Sequence, residues 1–392
     1  METPHYDYLI SGAGMAGLSL AYAICHEPEL RSKKILLVDS DSKTQNDRTW
    51  AYWEKGVGRF DELVFRKWDE VAVTHPNHNK IRVSMAPYQY KLIRGADFYR
   101  AMREFLGQQP QVTWIQDRVL DIGSNAQHAW IQSTHQRYSG DLVFDSTFRP
   151  AFNLPYRNHL WQHFKGYVIE MNQEVFDHHL PDIMDFSVPQ VDDECTFLYV
   201  IPFSKTKALV ELTFFSEPIL TQEKYTELLE DLIEKKWPGV AYQVEEEEFG
   251  IIPMSDTPFQ EIVTHRHVRI GTAGGYTQPA TGFTFALTQE RLGEIVHQLK
   301  KGQTPTSTRH WARKRMEAYA AILLNVLKWK RYAGQYFFPE LFLKNPAHRV
   351  FAFLSGHTRW IDEIKVMNTA PWIPFILASF HLIWNRLKEK LS

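Results

Sequence analysis

Cysteine is nearly absent from this chain: only Cys25 and Cys195 occur in 392 residues. A disulfide framework or a cysteine-built zinc site is excluded as the organising feature, and a reducing, cytoplasmic setting is expected. Charge of one sign is missing as well. Lysine and arginine (44) nearly balance aspartate and glutamate (46), for a net charge of −2. No basic surplus exists to bind nucleic acid. Met1–Asp7 has neither a basic start nor an apolar core, so no signal peptide is expected. No apolar run reads as a transmembrane helix. The nearest, Val366 to Asn385, lacks Asp, Glu, Lys and Arg but is interrupted by Asn368, Thr369, Pro371, Pro374, Ser379 and His381. Its Trp372–Trp384 core precedes Arg386, Lys388 and Lys390. That pattern suits either a helix lying in a membrane interface or a helix docked on the protein. Internal repeats and low-complexity linkers are absent. The histidine pairs His75/His78, His178/His179 and His265/His267 form no coherent ligand set, so no metal site is expected.

Aromatic residues, by contrast, are abundant: 12 Trp, 17 Tyr and 25 Phe. They serve either a large core or a pocket of ring faces for a large apolar or cationic ligand. Two glycine-rich stretches stand far apart. The first, Gly12, Gly14 and Gly17, follows the strand-like Tyr6–Ile10 and opens an Ala/Leu-rich helix. It precedes Ile35–Asp39, an unbroken apolar run of the buried parallel type. Asp39 lies 22 residues after Gly17, the spacing of an acidic residue that accepts ribose hydroxyls. The second stretch is Gly271–Phe283, with Gly271, Gly274, Gly275, Pro279 and Gly282. Two glycine turns held far apart in sequence suit one long cofactor gripped at both ends, which favours FAD over a lone nucleotide.

The remaining pattern predicts a helix over 97–107 with Asp97 as its cap, and short strands at 112–115, 129–132 and 142–144. A strand-rich region follows from Gly166 to Glu211, then a helix over 225–236 and a short strand at 268–271. Helices are predicted over 280–299 and 309–329. A β-rich domain is thus inserted into an α/β dinucleotide-binding domain. The expected boundaries are 1–70, 90–150 and 256–300 for the cofactor domain, 71–89 and 151–255 for the inserted domain, and 301–392 for a helical C-terminal region.

Three polar features invite a chemical reading. Arg48, just after the second strand, is placed to pair with a pyrophosphate or a substrate, or to sit on the surface beside Trp50. Glu211 interrupts Leu209–Phe215 and shares a strand face with Leu209 and Thr213. Burial there would raise its pKa and make it a proton donor, whereas an outward, solvated glutamate fits the same pattern. Glu245–Glu248, four adjacent carboxylates, reads as solvated surface.

Taken in order, Gly12–Gly17, Asp47–Trp53, Gln162–Tyr167, Met184–Phe186, Tyr199–Pro202, Val210–Thr213, Gly250–Met254 and Gly271–Phe283 resemble the bacterial lycopene β-cyclase family. The resemblance spans roughly three quarters of the chain and is far more specific than the glycine fingerprint alone. It implies a Rossmann-like FAD-binding fold of the aromatic hydroxylase and geranylgeranyl reductase type. It also implies cyclisation of lycopene and related carotenes with reduced FAD, NAD(P)H as reductant, and Glu211 as the acid–base residue. Gly12, Gly14, Gly17 and Asp39 would hold the ADP end, Arg48 the middle, and Gly271, Gly274, Gly275, Pro279 and Gly282 the flavin end. Tyr199, Thr213 and Phe283 would line the substrate pocket. Hydroxylases of this fold carry Gly-Asp where this chain has Gly271-Thr272, and Asp-Gly where it has Asp145-Ser146. Those departures argue against a hydroxylase. A membrane surface at the inner face and other carotenoid-pathway enzymes are the expected partners. The competing readings are an isoprenoid reductase or monooxygenase, and a carotenoid carrier without activity.

Overall fold

A computed structural model describes residues 4–149, 152, 154–307 and 311–391. The strand His5–Ser11 ends in four buried residues and turns at Gly12, whose φ of +90° is open to glycine. The helix Met15–His26 returns the chain to the strand Ile35–Asp39. A Cβ on Gly12 would overlap Ser146 Oγ, and one on Gly17 would overlap the Gly12 carbonyl. Both positions therefore exclude side chains for reasons of packing, and the close helix–strand approach depends on them.

Around this unit runs a parallel sheet. Its order is Val112–Gln116, Ile35–Asp39, His5–Ser11, Arg137–Asp145 and His267–Arg269. Val119–Ser124, Ala129–Ser133 and Ile262–Thr264 add antiparallel pairing. One face packs on the helices Met15–His26, Gly95–Gly107 and Phe285–Lys300. Ile131 and Tyr138 belong to the core on the other face. Because both faces are covered, the central strands read as continuous apolar runs.

The second sheet has seven strands. Their order is Tyr242–Ser255, His159–Met171, Lys207–Ser216, Cys195–Pro202, Asp182–Asp185, Glu70–Thr74 and Lys80–Ser84. Thr49–Lys55, Tyr88–Arg94 and Arg66–Trp68 form a small third sheet. The helix Gln222–Lys236 covers one face of the seven-stranded sheet through Tyr225, Leu229, Leu232 and Ile233, the i, i+4, i+7, i+8 stripe of an amphipathic helix. Thr221 caps it by accepting the Lys224 N–H at 3.3 Å. After Phe285–Lys300 the described residues form the helices Trp311–Lys328, Gly334–Lys344, Ala347–Leu354, Trp360–Met367 and Trp372–Leu391. They lie over the opposite face, where Phe197, Phe215, Leu324 and Phe338 share a core. The architecture is α/β with a β-rich insertion and a helical C-terminal region.

Three local expectations change. Asp97 is not the cap, because the helix begins at Gly95 and Asp97 lies in its first turn, paired with Arg94 (2.6 Å) and Arg100 (2.7 Å). An acid there is favoured by the helix dipole. The helix predicted from Ala280 starts at Phe285. A turn at Gln278–Gly282 delays it, with Gly282 at φ +70° and its N–H donated to the Gln278 carbonyl. Finally, Tyr242–Ser255 is a strand of 14 residues that the acidic run conceals.

Candidate active site

The helix Met15–His26 begins at Gly14 without a side-chain cap, leaving its first N–H groups to meet a ligand. Beyond its own chain neighbours, a Cβ built on Gly14 would find no atom of a described residue within 4 Å, so the turn faces open space. Asp39 fixes the turn from behind: its carboxylate accepts the Ala13 N–H at 2.6 Å and the Asp41 N–H at 2.8 Å. Gly271, at φ +60°, comes against the start of the same helix, where an added Cβ would lie 2.7 Å from Ala16 Cβ. The two glycine stretches are therefore neighbours in space. Gly14, Arg48, Gly271 and Gly282 all line one cavity of about 930 Å³.

Glu211 lines that cavity too. Its strand is buried on both faces, so the outward, solvated alternative fails, and Glu211 is only 7% exposed. One row crosses the sheet through Glu248, Gly166, Glu211 and Tyr199. Gly166 separates two carboxyl groups, and a Cβ on it would overlap Glu211 Cγ. Burial pushes the Glu211 pKa well above the ordinary carboxyl range, and the nearby Glu248 adds to the effect. Burial raises Glu248 to about 7 against the opposing hydrogen bond from Thr49, whose N–H it accepts at 2.8 Å. On the other flank the Tyr199 and Tyr90 hydroxyls meet at 2.7 Å. Burial raises both phenols, so both remain neutral donors. Thr213 and Phe215 continue the Glu211 face, and Phe283 packs edge-on against Trp53 with centroids 4.4 Å apart. The result is an aromatic-walled chamber with acid at one place and an anion-receptive helix end at another.

The profile of the family described as "Lycopene cyclase protein" matches residues 7–379. This chain belongs to the lycopene cyclase family. Two proteins named lycopene beta-cyclase are similar to it over nearly their whole lengths. The one from Paracoccus sp. (strain N81106 / MBIC 01143) is 24% identical, with 94% of this chain and 95% of that protein covered. The one from Pantoea ananas is 21% identical, with 96% and 97% covered. Among solved structures, a flavoprotein/dehydrogenase from Cytophaga hutchinsonii has a TM-score of 0.61 at 15% identity, covering 97% of this chain and 99% of that one. A geranylgeranyl bacteriochlorophyll reductase-like protein from Thermoplasma acidophilum has 0.60 at 12%, covering 97% and 100%. The fold is that of the Rossmann-type flavoproteins.

Not every glycine of the second stretch reaches the chamber of this lycopene cyclase family member. Gly275 and Pro279 line a second cavity of about 1110 Å³, which shares Trp53, Gln278 and Phe283 with the first. Gly274 is buried, and a Cβ there would overlap the Arg269 carbonyl, so its part is to let the turn close. Arg48 is exposed and held by Asp47 through Nε (3.0 Å) and Nη2 (2.7 Å). The residues present suit a flavin dinucleotide on two counts: the open space beside Gly14, and Gln162 Oε1 beside Gly282, a buried acceptor without a partner among the described residues. Among the described residues no cluster of His, Cys, Asp or Glu could hold a metal ion.

Sequence reasoning missed Glu248. The solvated-surface reading suits Glu245 and Glu247, which are exposed, but Glu248 is 8% exposed and is corrected to a chamber residue. Its one signal was position: it adjoins the apolar run Phe249–Met254, of which Phe249–Pro253 line the chamber. Ser146 was noted only as a departure from hydroxylases. It underpins the first turn, donating to the Ser11 carbonyl at 2.8 Å.

Proposed function

We propose that this protein is a lycopene β-cyclase, converting the ψ end groups of lycopene through γ-carotene to the β rings of β-carotene without net oxidation or reduction. The observation that carries the reading is a buried carboxyl pair inside an aromatic-walled cavity that also touches both glycine turns. Family membership and the names of the two relatives support the substrate.

The chemistry begins with a proton. Glu211, kept protonated by burial, gives it to the terminal double bond and creates a tertiary cation. Ring closure by the neighbouring alkene and loss of a ring proton complete the β end group. Faces of the chamber aromatics stabilise the cation by about 1–2 kcal/mol each when water is absent. The apolar wall prevents capture of the cation as an alcohol. Gly14 and the helix end would receive the pyrophosphate of FAD, with Gly12, Gly17 and Asp39 shaping that turn. Arg48 would neutralise its charge, and Gly271, Gly282 and Gln162 would border its flavin end. When bound, reduced FAD supplies fixed negative charge near the developing cation, and NAD(P)H is the reductant that would maintain it.

An anaerobic assay with lycopene tests the reading. Rings should form with reduced FAD but not without it, and NAD(P)H should not be consumed in proportion to product. Stoichiometric consumption with a saturated or oxygenated product would instead identify a reductase or monooxygenase. Recovery of bound, unchanged lycopene would identify a carrier.

The substrate dissolves in bilayers, so docking at the inner membrane face is part of the proposal. Among the described residues no single helix is long and apolar enough to cross a membrane; Trp360–Met367 and Trp372–Leu391 qualify only as a pair bent by 116°. Trp372–Leu391 is tied to the body by Arg157–Glu389 (2.9 and 2.7 Å) and Arg386–Asp256 (3.1 Å), yet leaves Ile373 73% and Phe380 67% exposed. Trp372, Phe375 and Ile376 of this helix line the chamber, so an apolar outer face adjoins the substrate site. Deleting the helix would open the core at Ala378 and Leu382. The double variant Ile373→Glu, Phe380→Glu is the cleaner probe. Its flotation with anionic liposomes should fall to a small fraction of wild type, and unchanged flotation of the folded variant would remove this face as the anchor.

A further inference from the structure

Cyclisation needs two proton transfers of opposite sense, and the chamber contains two carboxyl groups in different settings. Glu248 is gripped as an acceptor by the Thr49 N–H at 2.8 Å, on the strand that follows Arg48, and the Arg48 charge acts on it. A carboxylate that accepts an N–H beside a guanidinium is stabilised as an anion. Glu211 has no such donor among the described residues and sits in the sheet centre. Adjacent strands lie about 4.8 Å apart, so the two glutamate Cα atoms are separated by about 10 Å with only Gly166 between them. The missing side chain leaves a floor of bare backbone flanked by Glu211 and by a second carboxyl whose N–H donor and nearby positive charge favour its ionised form more than anything around Glu211 does.

We propose that the two steps are divided: Glu211 donates the initiating proton, and Glu248 is the base that removes the ring proton while the end group lies over Gly166. This rests on the cyclase reading above. In the first step the Glu211 O–H bond breaks and a C–H bond forms at the terminal alkene. The π pair of the next alkene then forms the ring C–C bond and moves the cation into the ring. Finally a C–H bond beside that cation breaks, its electron pair becomes the ring double bond, and its proton goes to Glu248. No electron enters or leaves. One proton must return from Glu248 to Glu211 before the next ring, with no net uptake.

The division makes Glu248 a determinant of product as well as rate. The ring cation has three kinds of neighbouring C–H: the ring CH whose loss gives the β double bond, a ring CH2, and a methyl group. A fixed base selects among them by position.

The test uses the FAD-loaded full-length protein and lycopene, reading both lycopene consumed and the position of the new ring double bond. Glu248→Gln should still consume lycopene, about 100-fold more slowly, and should scatter the product among β, other double-bond isomers and alcohols. Glu248→Asp, which restores a carboxylate, should return most product to the β form. Glu211→Gln should consume none. Pure β product from Glu248→Gln at the wild-type rate overturns the proposal. So does complete loss of consumption in a Glu248→Gln protein with wild-type flavin absorbance and thermal midpoint, because Glu248 would then act before the ring forms. If Glu248→Gln does not fold, pure β product at the wild-type rate from Glu248→Ala, which removes the carboxyl altogether, overturns it too. Wild-type protein that makes no rings would fail the cyclase reading instead, so the two failures are distinguishable.

Discussion

Glu211→Gln is expected to abolish ring formation and, at the same time, to stabilise the fold at alkaline pH. Loss of a positioned acid costs about 10²–10⁴-fold in rate. The stability effect follows from the raised pKa of the buried carboxyl. In the unfolded chain this group releases its proton near the ordinary value of 4.5, while the folded state still holds it. Over the window above 4.5 the folded state binds more protons than the unfolded one, so stability declines as pH rises. Glutamine cannot ionise, and that decline disappears. The difference in thermal midpoint, variant minus wild type, should therefore be more positive at pH 8 than at pH 5. Glu248 adds a similar decline between 4.5 and about 7 in both proteins, so it cancels in the comparison. Residual conversion at the wild-type rate, or an equal loss of stability at both pH values, would contradict the assignment of Glu211 as a buried acid.

Gly166→Ala should be nearly as damaging to activity, although it adds one methyl group. The new Cβ would overlap Glu211 Cγ and lie 3.3 Å from Leu209 Cδ1. Neither neighbour can retreat into a strand buried on both faces, so the carboxyl must swing into the chamber. Overpacking of this kind costs about 1–3 kcal/mol of stability, and a displacement on the order of 1 Å at a reacting group costs about 10²-fold in rate. Gly293 is the control. It lies within the helix Phe285–Lys300, and an added Cβ meets nothing within 4 Å. Gly293→Ala should gain about 0.5–1 kcal/mol and leave conversion unchanged. Full activity in folded Gly166→Ala would show that the gap between the carboxyls has no catalytic importance.

The contrast between Glu211 and Glu248 shows how far local pattern reaches. Both sit on strands, and alternation assigns each a face but not what covers that face. Glu211 is buried because the helix Gln222–Lys236 occupies one side of the sheet and the chamber with its C-terminal helices occupies the other. Glu248 ends a run of four acids, and composition alone favours solvent. Its burial follows from antiparallel pairing with His159–Met171, which puts it opposite Gly166. Asp97 shows the same limit on a smaller scale, as its charge marked a helix start correctly to within a turn but could not distinguish cap from first turn.

From sequence alone came what depends on neighbours within a few residues. The turn at Gly12, the helix behind it, the parallel strand Ile35–Asp39 and the α/β class follow from backbone freedom and hydrophobic period. Tertiary structure decided which distant groups share a chamber. Glu248 faces Glu211 across Gly166 through strand register, while Gly271 meets Ala16 and Tyr199 joins Tyr90 through packing between separate elements, in each case linking residues tens to hundreds of positions apart. Local periodicity carries no information about such registers, while the carboxyl pKa values depend on them, because desolvation is set by everything packed around a charge.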